Sequence, residues 1–250
     1  MNRIPSRIIG LSCAALWLLA IATSASAVQH TFFGLDDPRG TFHTALAAHN
    51  NFVAALDLYG TDDLESFPNG TPFPTLVFGA TGITTTSSSG FVATFPPLAE
   101  SGLNALVDIG PTTPNDPPVD DAWTFSQPVT AFGSYFAQSG TEPYANIITL
   151  KLENVGLGTS TIVDVATVGP GASFDNVFFF GVTDTNPFDR VTLIERNDSA
   201  PETIDFDGIL LDDITVGIVP EPSSLALVTV GLIFAALVKF GKATRRAKKC

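Results

Sequence analysis

Five acids crowd one stretch near the end of the chain: Glu202, Asp205, Asp207, Asp212 and Asp213. Carboxylates are what a hard divalent cation needs. Calcium takes about six to eight oxygens, from carboxylates and carbonyls, at about 2.3–2.6 Å. Period-two alternation puts Asp212 on the strand face of Leu210 and Ile214, an acid aimed inward. A buried carboxylate needs a partner, and an ion is one. The competing reading is that these acids are solvated turn and edge residues. Asp205-Phe206-Asp207-Gly208 is not an EF-hand loop, because the spacing and the distal Glu are missing.

No residue is assigned a catalytic role. The chain has no Gly-x-Ser-x-Gly, no His-Glu-x-x-His and no phosphate-binding glycine loop. Its three histidines are His30, His43 and His49, and the last two are spaced wrongly for one helical face. Carboxylate pairs for glycoside hydrolysis stay open, since acids are plentiful. Trp123, Tyr59, Tyr135 and Tyr144 either stack on sugar rings or pack in the core.

The elements that must position these groups are mostly strands. The good helical stretch is Asn50 to Leu56, with Asn50 as N-cap and an upstream extension through Phe42, Leu46 and His49. Short apolar runs then alternate with Gly, Pro and Ser: Thr75–Phe78, Ile83–Thr86, Phe91–Phe95 and Asn104–Val107. Ser87 to Gly90 reads as a hairpin loop. Val129 to Ala137 splits Val129, Ala131, Gly133 and Tyr135 from Phe132 and Phe136. The strand through Ile148, Leu150 and Leu152 has a wet face, and Val177–Val182 is apolar on both faces, as in mid-sheet. With Thr161–Val168, Val191–Ile194 and Ile209–Val216, the pattern predicts an all-β fold. The specific expectation is an antiparallel, jelly-roll-like β-sandwich with one short helix.

Both ends read as addresses. Arg3 and Arg7 precede an apolar run from Ile8 to Ala22, and Ala25-Ser26-Ala27 is a small-x-small site. Residues 1–27 are thus expected to be a secretory signal peptide, cleaved between Ala27 and Val28. At the other end, Leu225–Val238 contains one polar residue, Thr229, and no charge. Residues 222–240 are long enough for a transmembrane helix. Six cations follow with no acid among them, which places the C-terminus in the cytoplasm and the rest outside. The expected ectodomain is 28–218, followed by an anchoring segment, 219–250.

Val28 to Val219 carries four cations, Arg39, Lys151, Arg190 and Arg196, against 24 of the 25 acids, a net of 4 − 24 = −20. So acidic a surface repels nucleic acid and excludes it as a partner. Cys13 and Cys250 are the two cysteines, so no disulfide can staple the exported part.

Pro220-Glu221-Pro222, the apolar span and the basic tail together resemble the PEP-CTERM sorting signal of bacterial envelope proteins. That resemblance implies recognition by an exosortase, a membrane-bound processing enzyme, with cleavage near the motif. A second likeness runs through Phe52–Leu56, Asp63–Gly70, Phe125–Gly133, Phe179–Val182 and Asp207–Ile214. In that order these segments are similar to PEP-CTERM ectodomains, which look like β-sandwiches related to carbohydrate-binding modules and MAM-type domains. In such sandwiches a structural ion lies between an early-strand Glu and a last-strand Asp. By position these are Glu65 and Asp212, with Asp213 adjacent, and the implied cofactor is a structural calcium.

The functional expectation is an exported envelope or extracellular-matrix protein, a structural or interaction module without catalysis. It would be anchored for a time through residues 222–240 and then processed. The alternative is a carbohydrate-binding module that recognises extracellular polysaccharide.

Overall fold

The computed structural model describes residues 28–36, 42–94, 101–107, 121–139, 146–168, 177–197 and 208–220. The expected signal segment (1–27), the expected membrane span (222–240), Glu221, Tyr144, Glu202, Asp205 and Asp207 lie outside these. No helix among the described residues is long and apolar enough to cross a membrane.

Among the described residues, eleven strands and one α-helix follow in chain order. They are β1 (Gln29–Asp36), α1 (His43–Ala54), β2 (Leu58–Asp62), β3 (Thr75–Phe78), β4 (Ile83–Ser87), β5 (Phe91–Thr94), β6 (Asn104–Val107), β7 (Asp121–Ser139), β8 (Asn146–Asn154), β9 (Thr159–Val168), β10 (Val177–Asn197) and β11 (Gly208–Ile218). All of the strand pairs are antiparallel. The central path runs β5-β6-β11-β7-β10-β8-β9, with β1 added to β10, β2 to β11, β4 to β7 and β3 to β4.

Two long strands organise the rest. The first part of β10 pairs with β1 and the second part with β8, while β7 accompanies both. Phe178, Phe180 and Val182 from the first part share one core with Val191 and Leu193 from the second. Trp123 stacks on Phe132 at 5.7 Å between ring centres, joining the two ends of β7 across that core. The two halves of the sheet therefore face each other over one apolar interior. The even-odd alternation sends Val177 and Phe179 to a second core, beneath α1, which is why Val177–Val182 reads as apolar on both faces.

Helix α1 docks through Ala45, Ala48 and Phe52. Gly181 and Gly133 face each other in register, and a Cβ on Gly181 would lie 2.7 Å from the Phe52 ring. The paired glycines make the notch that seats this ring. The helix starts at His43, about two turns before Asn50, which lies inside it. Its first amides are capped from a distance: Asp36, at the end of β1, accepts from Thr44 N at 2.9 Å and Ala45 N at 2.8 Å. Burial works to raise the Asp36 pKa, yet these amides, the Thr44 hydroxyl and the His43 charge together outweigh it and hold the carboxyl below its ordinary range. A carboxylate at a helix N-terminus is also favoured by the helix dipole.

The Ser87–Gly90 segment is a corner rather than a hairpin loop, because β4 pairs with β3 and β7 while β5 pairs with β6.

Candidate functional site

Glu65, Asp212 and Asp213 do converge, on a single segment, Ser101–Asn104. Glu65 Oε1 accepts from Leu103 N at 2.7 Å and from Asn104 N at 2.6 Å. Asp212 Oδ2 accepts from Ser101 N at 3.0 Å, and Asp213 Oδ1 accepts from the Ser101 hydroxyl at 2.7 Å. Gly102 sits under the Glu65 carboxyl with φ 63°, and a Cβ there would be 2.3 Å from Glu65 Cδ. Protein donors thus reach Glu65 Oε1, Asp212 Oδ2 and Asp213 Oδ1. Among the described residues no three His, Cys, Asp or Glu side chains are grouped to hold a metal. The three acids clasp the chain that enters β6.

Asp212 shares the face of Leu210, as period two requires, but not that of Ile214. The ladder between β11 and β7 slips between Asp212 and Thr215. Asp213 fills the slip at φ 47°, and Ile214 turns into the larger core while Leu210 lies in the core under α1. A bulge adds one residue and reverses parity, which alternation along one strand cannot anticipate.

His49 packs on Tyr135 and Phe179, with ring centres 5.4 and 5.1 Å away. Burial pushes its pKa below the ordinary value, and the nearby Asp213 charge offsets this only in part. The aromatic candidates divide. Trp123 and Tyr135 are buried, at 0% and 1% exposure, while Tyr59 is 43% exposed. Trp123 is a core residue and not a sugar platform.

A separate cleft opens where β10 leaves register with β7 between Thr183 and Phe188. One wall is that bulge, including Asp184, Asn186, Pro187 and Phe188. The other is the β8–β9 turn and the start of β9, including Asn154, Leu157, Thr159 and Thr161. Together they enclose about 180 Å³. Pre-formed bonds hold the walls. Asn154 Nδ2 donates to Pro187 O at 3.0 Å, and its Oδ1 accepts from Leu157 N at 2.9 Å. Val155 N donates to Asp189 Oδ1 at 2.8 Å. Asp184, 5% exposed, accepts from Asn186 N at 2.8 Å and is the one acid in the lining. The sequence marks this place with the Gly156-Leu157-Gly158 turn and with Asn186-Pro187. Neither carries a recognisable ligand signature, so the cleft itself was not foreseen.

No known family model and no curated protein matches the sequence. Solved structures with a detectable likeness include the K2 cleaved adhesin domain of Lys-gingipain, at 17% identity and TM-score 0.38, covering 64% of this chain and 98% of that one. Another is the CBM22-1 xylan-binding domain of Paenibacillus barcinonensis Xyn10C, at 17% identity and TM-score 0.37, covering 66% and 96%. A third is the C-terminal family 22 carbohydrate-binding module of Clostridium thermocellum Xyn10B, at 12% identity and TM-score 0.33, covering 67% and 96%. Likeness at this level carries no function across.

Proposed function

We propose that this is an exported envelope or matrix protein whose β domain binds a neutral saccharide in the β8–β10 cleft without turning it over. The observation that carries this is the lining. Asn, Thr and Ser groups provide paired donors and acceptors, Leu157, Pro187 and Phe188 provide an apolar surface, and the walls are fixed before any ligand arrives. Its roughly 180 Å³ is small beside the about 300–1,000 Å³ of pockets for drug-sized ligands, and suits one sugar unit of a chain. Glycoside hydrolysis needs two carboxyl groups across the bond, and the described lining offers Asp184 alone. The −20 ectodomain disfavours uronate-rich polymers.

Affinity electrophoresis through neutral and acidic polysaccharides tests this reading. A neutral polymer should retard the protein. The isosteric Thr161→Val change at an exposed position should weaken retention about 2–10-fold, the value of one hydrogen bond. If no neutral polymer retards the wild type, the cleft is not a glycan site and the domain is a structural module.

The two ends place the domain. We propose signal cleavage between Ala27 and Val28, a temporary membrane helix over 222–240 with its C-terminus in the cytoplasm, and exosortase-like processing near Pro220-Glu221-Pro222. Support comes from the sequence pattern. The jelly-roll-like sandwich belongs here as well, supported by the single core that both halves of the sheet share. Replacing Pro220, Glu221 and Pro222 by alanine should trap the full-length chain in the membrane, and unchanged processing would remove the sorting reading.

A further inference from the structure

Ser87, Ser89 and Asp121 meet in a sealed corner where β4 turns towards β5 against the start of β7. All are buried, Asp121 completely. The Ser87 hydroxyl oxygen lies 2.5 Å from the Ser89 carbonyl oxygen and 2.7 Å from Asp121 Oδ1. It also accepts Ser89 N at 3.3 Å. The two short oxygen–oxygen distances are hydrogen-bond lengths, and each needs a proton. The Ser87 hydroxyl carries one. A carbonyl oxygen carries none. The second has one remaining source, the Asp121 carboxyl. Asp121 Oδ2 is buried with no hydrogen-bond partner, a costly place for an ionised oxygen.

We propose that Asp121 is a neutral carboxylic acid in the folded chain. Its Oδ1–H donates to Ser87 Oγ, and Ser87 O–H donates to the Ser89 carbonyl, so one titratable proton locks the β4–β5 corner to β7. Loss of that proton leaves two acceptors facing each other and releases the corner. Burial raises the Asp121 pKa more than its serine and amide contacts lower it. Charged side chains on the flanking strands turn away. Leu193 pairs with Asp121, whereas Arg190 pairs with Thr124 and with Glu153, and Lys151 pairs with Thr192. That register puts Arg190, Lys151 and Glu153 on the opposite face, where Lys151 pairs with Glu153 at 2.7 Å. A calcium ion suits the corner poorly. Ligands about 2.3–2.6 Å from calcium, six to eight in number, stand further apart than these oxygens.

The test uses the full chain in detergent. At pH 6, where ordinary aspartates are ionised, infrared spectra should show the carbonyl stretch of a protonated carboxylic acid. D121N should abolish it, and Ser87→Ala should shift it. Both proteins share the His49 loss towards pH 5, so the comparison is the difference between them. Relative to D121N, whose amide can still donate to Ser87, the wild-type melting temperature should fall as pH rises from 5 to 9 and lie about 3 °C lower at pH 9. Absence of the band at pH 6, or D121N tracking the wild type at every pH, overturns the proposal. So does a calcium-induced rise in melting temperature that D121N lacks, since a cation would then hold the corner. Should D121N not fold, the wild-type band and its shift in Ser87→Ala decide alone.

Discussion

Replacing Glu65 with glutamine separates two accounts of the acids around Ser101–Asn104. In one they are calcium ligands; in the other they anchor backbone amides. Glu65 Oε1 takes two N–H groups, at 2.7 and 2.6 Å. Bonds to a charged acceptor contribute about 1.5–3 kcal/mol each, against about 0.5–1.5 kcal/mol for a neutral one. Glutamine keeps the acceptor and loses the charge, so the gross loss is about 2 kcal/mol. Glu65 is exposed, and solvent screening reduces this to about 1 kcal/mol. For a domain of this size that lowers the melting temperature by about 2–4 °C. Circular-dichroism melts of the full chain, with excess calcium or with EGTA, provide the assay. The clasp requires the same decrease in both conditions and no effect of EGTA on the wild type. If EGTA lowers the wild type as far as the substitution does, and lowers Glu65→Gln no further, the carboxylate is an ion ligand and the clasp is wrong.

Three further outcomes follow from the core under α1. Asp36→Ala removes a cap that bonds two amides; the cost should be about 1 kcal/mol, with faster hydrogen exchange at Thr44 and Ala45. Gly181→Ala drives a methyl group to 2.7 Å from the Phe52 ring; overpacking of this kind costs about 1–3 kcal/mol, read as a lower denaturation midpoint. The depressed His49 pKa has a definite sign. As pH falls through the ordinary value of 6.5, the unfolded chain binds a proton that the folded one does not, so stability present at pH 7 is lost towards pH 5. His49→Phe should remove that part of the decline; an unaltered slope would show that the ring is not what titrates.

Strand positions were largely legible, because period-two patterning and turn residues are local. Thr75–Phe78 and Asn104–Val107 match β3 and β6. Ile148, Leu150 and Leu152 face inward, as their alternation with Thr149, Lys151 and Glu153 requires. β2 was missed: it is five residues long and shows little but Gly60 to the interior. Val177–Val182 and Val191–Ile194 read as separate strands, yet both belong to β10, which carries the break between them as a bulge. Register slips also misled the face assignments. Val129 belongs to the core of Phe132 and Phe136, not to that of Tyr135. The partners that Glu65, Asp212 and Asp213 have in the fold are backbone amides and a hydroxyl distant in sequence, so residue types alone suggested a metal and could not show the loop clasp. Asp121 drew no notice for the same reason, since a single acid after a proline-rich stretch acquires meaning only when a serine corner closes over it.

The exit of the chain has a mechanical consequence. β11 ends beside Leu58 of β2, and Val219 N donates to Thr130 Oγ1 of β7 at 2.7 Å. A tether pulling beyond Pro220 would draw β11 lengthwise between β7 on one flank and β2 and β6 on the other. Force directed along a ladder stretches its rungs together, whereas force across an edge peels them singly. From the β8–β10 cleft, the ladder to the tether runs through β10, β7 and β11. A cell held to a polymer by this domain would therefore pull on its central strands in shear, and the peripheral strands would carry little of the strain.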